Sequence, residues 1–168
     1  MRIMGVDHGA MSGISLLEDD RLILTASFKS TGDTLESLVC NYKSKLTVFI
    51  EFYKPDVIVL EYPSDMKNAK TSRQLIGMFC AGAIVADNFK IPQFSYPPKT
   101  VRKVILGKGH GNAKKPEVYK FLKQHFKCSR EELCVDEYYK RKEGIKSTAY
   151  DMSDAVALAL CHYMEEKK

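Results

Sequence analysis

Four carboxylates sit where the most apolar segments of the chain stop. Asp7 closes Ile3-Met4-Gly5-Val6-Asp7, and Glu61 closes Val57-Ile58-Val59-Leu60. Asp151 and Asp154 open the last apolar stretch. A carboxylate ending a buried segment costs desolvation unless a cation or hydrogen bonds offset it. Acids at the ends of neighbouring strands, about 4.8 Å apart, converge, and two acids three residues apart on a helix share a face. Gathered without a counter-ion they repel: like charges about 4 Å apart cost on the order of 4 kcal/mol at an effective dielectric near 20. Divalent cations remove that cost, and magnesium suits a set of carboxylates completed by water and phosphate oxygens. Two such ions roughly 3.5–4 Å apart activate a water and steady the leaving oxygen of a phosphodiester. The pattern points to hydrolysis without a covalent enzyme nucleophile, leaving a 5′ phosphate and a 3′ hydroxyl.

Plainer explanations stand beside each acid. Asp7, before His8-Gly9, fits a turn; Glu61, before Tyr62-Pro63, fits a strand end reaching solvent. Thr148-x-x-Asp151 resembles a capping box, and Asp154 fits an exposed helical position. Taken singly these are good accounts, but taken together they require four coincidences at element ends.

The elements that must carry the acids are legible in the apolar pattern. Residues 2–7, 13–17 and 21–28 read as three strands joined by short connections, hence antiparallel. Thr34 reads as the cap of a helix that runs to the stop at Pro55. Residues 57–60 are a continuous β-branched run, as expected of a buried parallel strand. A helix over 71–88, a strand over 93–96, a helix from Pro97-Pro98, a glycine turn at 107–112, a helix over 114–126 and a last helix over 150–166 follow. The expected fold is α/β: a five-stranded mixed sheet, antiparallel in its first three strands and then parallel, with helices on both sides, forming one domain over residues 1–168.

With 168 residues and 45% apolar content, the chain can bury a genuine core. No run approaches a membrane span and no secretory leader is evident, so a cytoplasmic protein without membrane partners is expected. Five cysteines without a Cys-x-x-Cys pair read as reduced thiols, and His125, Cys128 and Cys134 do not match a common zinc spacing. The net charge is only +5, yet nine lysines and arginines between Lys99 and Lys127 face one acid, Glu117. Such a tract is either a solvated helical face or a surface that follows phosphates.

The ordered set Ile3–Gly9 with Gly13, Val57–Glu61 and Asp151-Met152-Ser153-Asp154-Ala155 resembles the RuvC-type Holliday junction resolvases, which have the ribonuclease H-like fold. Tyr96-Pro97, Val101, Gly107-x-Gly109 and Ala113-x-Lys115-x-x-Val118 resemble that family's basic DNA-contacting segment. The resemblance covers most of the chain. It implies a homodimer that binds four-way DNA junctions and nicks two strands symmetrically, with two magnesium ions per site (manganese substituting). It assigns metal ligation and catalysis to Asp7, Glu61, Asp151 and Asp154, and sets Lys115 near the scissile phosphate. Arg102 falls where the family usually has lysine; Lys103, Lys108, His110 and Lys114 fall in the DNA-contacting tract, with His110 either touching phosphate or facing water. The helix over 71–88, with its small residues, would be the dimer element or would simply pack tightly on the sheet.

Three departures stand out. The bacterial members carry an aromatic soon after the glutamate, where this chain has Ser64; Tyr62 is the available substitute. The glycine turn at 107–112 is longer by about two residues, and the stretch from Cys128 to Ala149 is also longer, in keeping with a viral or phage member. The competing functions are a broader nuclease of flaps and forks, and a non-catalytic nucleic-acid-binding module whose acids are structural. A pre-ribosomal RNA nuclease fits the C-terminal acids less well, and an actin-like phosphotransfer domain would need a longer chain. The sequence does not say whether a branch-migration motor cooperates.

Overall fold

The computed structural model describes residues 1–64, 68–127 and 147–168, with side chains in the last segment from Tyr150. Five strands, β1 (Arg2–Asp7), β2 (Met11–Glu18), β3 (Arg21–Lys29), β4 (Val57–Glu61) and β5 (Gln93–Tyr96), form one sheet in the order β3-β2-β1-β4-β5. The β1–β2 and β2–β3 pairs are antiparallel; β1–β4 and β4–β5 are parallel. This is the expected mixed sheet. Strand β2 begins two residues before its apolar run, because Met11 and Ser12 pair with Lys29 and Phe28. Ladder hydrogen bonds extend a strand past the residues that hydrophobicity alone marks.

Period-two alternation divides the core into two layers. Met4, Val6, Ile14, Leu16, Ile58 and Leu60 face α1 (Leu35–Tyr53) and α2 (Ala69–Asn88). Ile3, Leu17, Val57 and Val59 face α3 (Pro98–Leu106), α4 (Lys115–His125) and α5 (Ser147–Glu166). Thr34 caps α1 by accepting from the Ser37 N–H at 3.2 Å, and the helix ends in left-handed Lys54 just before Pro55. Asn68 caps α2, whose first residue, Ala69, lies two residues before the start read from periodicity. Glycines 107 and 109, at φ of +97° and +100°, lead into a 3-10 turn over His110–Asn112.

The small residues of α2 serve packing within the chain. A Cβ at Gly77 would come within 2.9 Å of Val39 on α1, and one at Gly82 within 3.4 Å of His8. The outward face of α2 instead carries exposed Ile76 and Ile84. Cys40, Cys80 and Cys161 are free thiols, Cys161 buried and the other two exposed. Cys128, Cys134 and the basic run Lys140–Lys142 lie outside the described residues. Among those described, no helix is long and apolar enough to cross a membrane.

Helix α5 lies very close to the sheet. A Cβ added to Gly5 would stand 2.0 Å from the Ala155 carbonyl oxygen, and one added to Gly13 would stand 2.0 Å from that of Asp151. Ser15, paired with Gly5 across β1–β2, donates its hydroxyl proton to the same Ala155 oxygen at 2.8 Å. Gly13 pairs with Asp7. Hydrogen at both glycine positions is what lets the helix backbone lie directly on β1 and β2. Gly13→Ala should therefore displace the start of α5. Overpacking of about 1–3 kcal/mol corresponds to a melting temperature lower by roughly 3–10 °C; an unchanged melting temperature would mean α5 is not seated this closely.

Candidate active site

Alternation decides which way the strand-end acids point. In β1, Ile3, Gly5 and Asp7 share a face; in β4, Val57, Val59 and Glu61 do the same. The parallel register pairs Val6 with Leu60, so the next residues, Asp7 and Glu61, end the two strands side by side on the α5 face. Their carboxyls lie within electrostatic reach of each other. Helix α5 starts at Ser147, three residues earlier than its apolar pattern suggests, so Asp151 lies in its second turn and is no first-turn capping acid. Asp151 and Asp154 descend beside Asp7 because Gly13 leaves the room. Helix α4 adds Lys115 as its first residue; there Glu117 accepts from the Lys114 N–H at 2.9 Å and Pro116 supports the first turn.

The cluster is largely buried and crowded. Asp7 is 8% exposed, and the Asp151 and Asp154 side chains are 18% and 12% exposed. Burial, then Glu61 and Asp154, push the Asp7 carboxyl well above the usual range, with Lys115 opposing. Burial and Asp154 raise Glu61 to about 7 against the pull of Lys115 and Arg102. Asp151 rises to about 6 through burial, and burial also raises Asp154, in both cases against Lys115. The Lys115 ammonium lies 2.5 Å from Asp154 and 3.8 Å from Asp151. Burial works against its charge, but Asp154, Asp7 and Asp151 together carry it above the ordinary lysine value. A cleft of about 50 Å³ opens here, lined among others by Glu61, Asp154, Lys115, Arg102 and Val101.

The other predicted residues separate into two groups. Arg102 joins the acids in the cleft. Lys103, Lys108, His110 and Lys114 are exposed along the flank formed by α3, the 3-10 turn and the start of α4. Tyr62, 49% exposed, follows Glu61 and stands edge-on to Phe79 at 5.7 Å between ring centres. Ser64 is exposed. Sequence reasoning passed over His8 as part of a turn. Its ring is buried on the α1–α2 side, with Nδ1 2.7 Å from the Tyr42 hydroxyl, and burial lowers its pKa to about 3. The signal available was parity: His8 continues Met4 and Val6 on the inward face.

The donor set suits a hard dication: all oxygen, four carboxyls at one end of the sheet, each raised by burial. Among the described residues no three His, Cys, Asp or Glu side chains are already arranged to close on an ion. The Lys115 ammonium instead sits among the acids as their counter-charge.

Sheet order, the face shared by the strand-end acids and the crossing of α5 define a ribonuclease H-like domain. No family model matches the chain. The crossover junction endodeoxyribonuclease RuvC of Chlamydia abortus is 30% identical over 170 residues, covering 95% of this chain and 92% of its own. That of Rhizobium johnstonii is 27% identical, covering 96% and 89%. The chain belongs to the RuvC family of crossover junction endodeoxyribonucleases. Solved structures agree in fold. The Thermus thermophilus RuvC structure has a TM-score of 0.76 at 18% identity, covering 99% of this chain and 96% of that one. The same protein in complex with Holliday junction substrate scores 0.75 at 16%, covering 99% and 95%. The yeast mitochondrial Holliday junction resolvase Ydc2 scores 0.70 at 15%, covering 99% and 79%. Nucleases of this family depend on metal ions.

Without metal, the buried acids destabilise the fold whenever they ionise. Their folded-state pKa values are raised, so the native state favours the protonated forms and stability falls as pH rises through those values. Asp7→Asn removes one of the crowded charges. At pH 8 with a chelator present, it should stabilise the protein by on the order of 1–2 kcal/mol. Denaturant melts of the two proteins would measure this; a less stable variant would contradict the crowding described.

Proposed function

We propose that this chain, as one nuclease domain over residues 1–168, resolves four-way DNA junctions by paired symmetric nicks, acting as a homodimer. The reading rests on one observation: carboxyls from β1, β4 and α5 converge around the Lys115 ammonium in a cleft beside a basic flank. Its family membership and the junction complex of the Thermus relative support the choice of substrate.

Asp7, Glu61, Asp151 and Asp154 would hold two magnesium ions, or manganese in their place. Bound there, the ions supply activation of the attacking water and neutralisation of phosphate charge. Lys115, whose ammonium lies among these acids, would turn its charge to the scissile phosphate and stabilise the transition state. Arg102 offers a planar fork to a neighbouring phosphate, a geometry lysine lacks. Lys103, Lys108, His110 and Lys114 follow the DNA backbone along their exposed flank. Tyr62 presents a ring to a base near the cut, backed by Phe79. The outward Ile76 and Ile84 of α2 suit contact with the second copy.

Incubation of the protein with labelled junctions, flaps, forks and linear duplex tests the reading. With magnesium or manganese the junction should be cut at symmetric positions, whereas calcium should support binding with little cleavage. Asp7→Asn and Glu61→Gln should abolish cutting and leave junction affinity largely intact; wild-type rates in these variants would overturn the site assignment. Efficient cutting of flaps and forks would favour the broader nuclease.

Lys115→Ala separates two roles. It should slow single-turnover cleavage about 100-fold while weakening junction binding far less. Equal losses in rate and affinity would make Lys115 an anchor only.

A further inference from the structure

His8 is the buried polar group that the chemistry above leaves unused. It follows Asp7 directly, is 7% exposed, and lies between α1 and α2. Its ring stands edge-on to Tyr42 at 5.6 Å and to Phe79 at 5.9 Å between ring centres, and Cε1 faces Gly82. The Nδ1 atom is paired with the Tyr42 hydroxyl at 2.7 Å. The Nε2 atom, also buried, has no hydrogen-bond partner among the described residues. A buried ring nitrogen left unpaired costs about 1–3 kcal/mol, so its persistence calls for a partner.

The structure offers one. His8 and Glu61 together line a small cleft whose other walls are Pro63 and Leu75. Its volume is about 20 Å³, above the roughly 10–15 Å³ that one water requires. Burial keeps both the imidazole and the phenol uncharged. With the Tyr42 hydroxyl donating to Nδ1, the ring proton resides on Nε2.

We propose that His8 is a positioning residue for Glu61: its Nε2–H, through a water seated in the shared cleft, holds the Glu61 carboxylate in the orientation that faces Asp7 and Asp154. Tyr42 fixes the tautomer, and Phe79 and Gly82 hold the ring in place. A carboxylate so oriented binds an ion with less reorganisation, and loss of such support typically costs 10–100-fold in metal affinity or activity. The proposal rests on the metal-dependent reading of the site, and the following experiment separates the two.

Manganese binding by the purified full chain is measured with manganese chloride alone, by calorimetry, and junction cleavage is titrated with magnesium in parallel. His8→Phe keeps an aromatic ring against Tyr42 and Phe79 but removes both nitrogens; His8→Gln returns an amide nitrogen near the Nε2 position. We expect His8→Phe to weaken manganese binding and raise the half-saturating magnesium concentration at least tenfold. Junction affinity in calcium should be unchanged, and His8→Gln should recover most of the loss. Wild-type metal affinity in His8→Phe, or equal impairment in both variants, would overturn the positioning role. If His8→Phe does not fold, Tyr42→Phe carries the test: loss of tautomer control should weaken manganese binding severalfold, and an unaltered affinity would overturn the proposal. A wild-type chain that neither binds manganese nor cuts junctions would instead defeat the metal-dependent reading itself.

Discussion

Helix α5 lies on the sheet at a separation that only hydrogen side chains permit. At Gly5 and Gly13 its carbonyl oxygens occupy the space of a missing Cβ, and Ser15 ties the Ala155 oxygen down. Much depends on that contact. It delivers Asp151 and Asp154 to the ends of β1 and β4, and it brings Ala155 and Ala159 into the core beside Ile3 and Leu17. The same approach excludes water from the acids, which is why burial comes first among the causes of their raised pKa values. Tight backbone packing and carboxyl crowding are one arrangement seen from two sides.

A site built this way stores electrostatic cost in the native state. Folding would be easier if any of the four acids were neutral. Lys115, delivered by a different helix, supplies compensation that is mobile by nature: a single ammonium on a flexible stem, 43% exposed. Arg102, lining the same cleft, lowers the charge penalty on Glu61 and Asp154. Cations of higher charge would relieve that cost further, in keeping with the proposed metal-dependent role.

The two layers on either side of the sheet carry separate tasks. The α3–α4–α5 layer holds the acids, the lysine and the exposed basic flank. The α1–α2 layer holds a tightly packed interior in which Gly77 and Gly82 admit Val39, Tyr42 and His8. Phe79 touches both His8 and Tyr62. The rear layer thus reaches the strand end from behind.

Most of the architecture was readable in the residues. Apolar runs marked the five strands, the continuous β-branched stretch at 57–60 identified a parallel one, and Thr34, Pro55 and Pro98 marked helix ends, because these signals are local and governed by backbone sterics and solvent exclusion. The four acids were readable as a set for the same reason: charges at the ends of apolar runs stand out. Other features needed the tertiary structure. Strand β2 and helix α5 extend beyond their apolar patterns, because ladder pairing and helical hydrogen bonds do not require hydrophobic residues. The small residues of α2 could have served a partner or the core, and only the packing against Val39 and His8 shows their use within the chain. Gly13, placed by its motif, acquired a reason only when Asp151 was seen above it. The seat of the Lys115 ammonium between Asp151 and Asp154, and the burial of His8 with one nitrogen unpaired, depend on where distant segments meet. Sequence determined which groups the chain carries and at which element ends; the distances between those groups came from long-range packing, which no local pattern encodes.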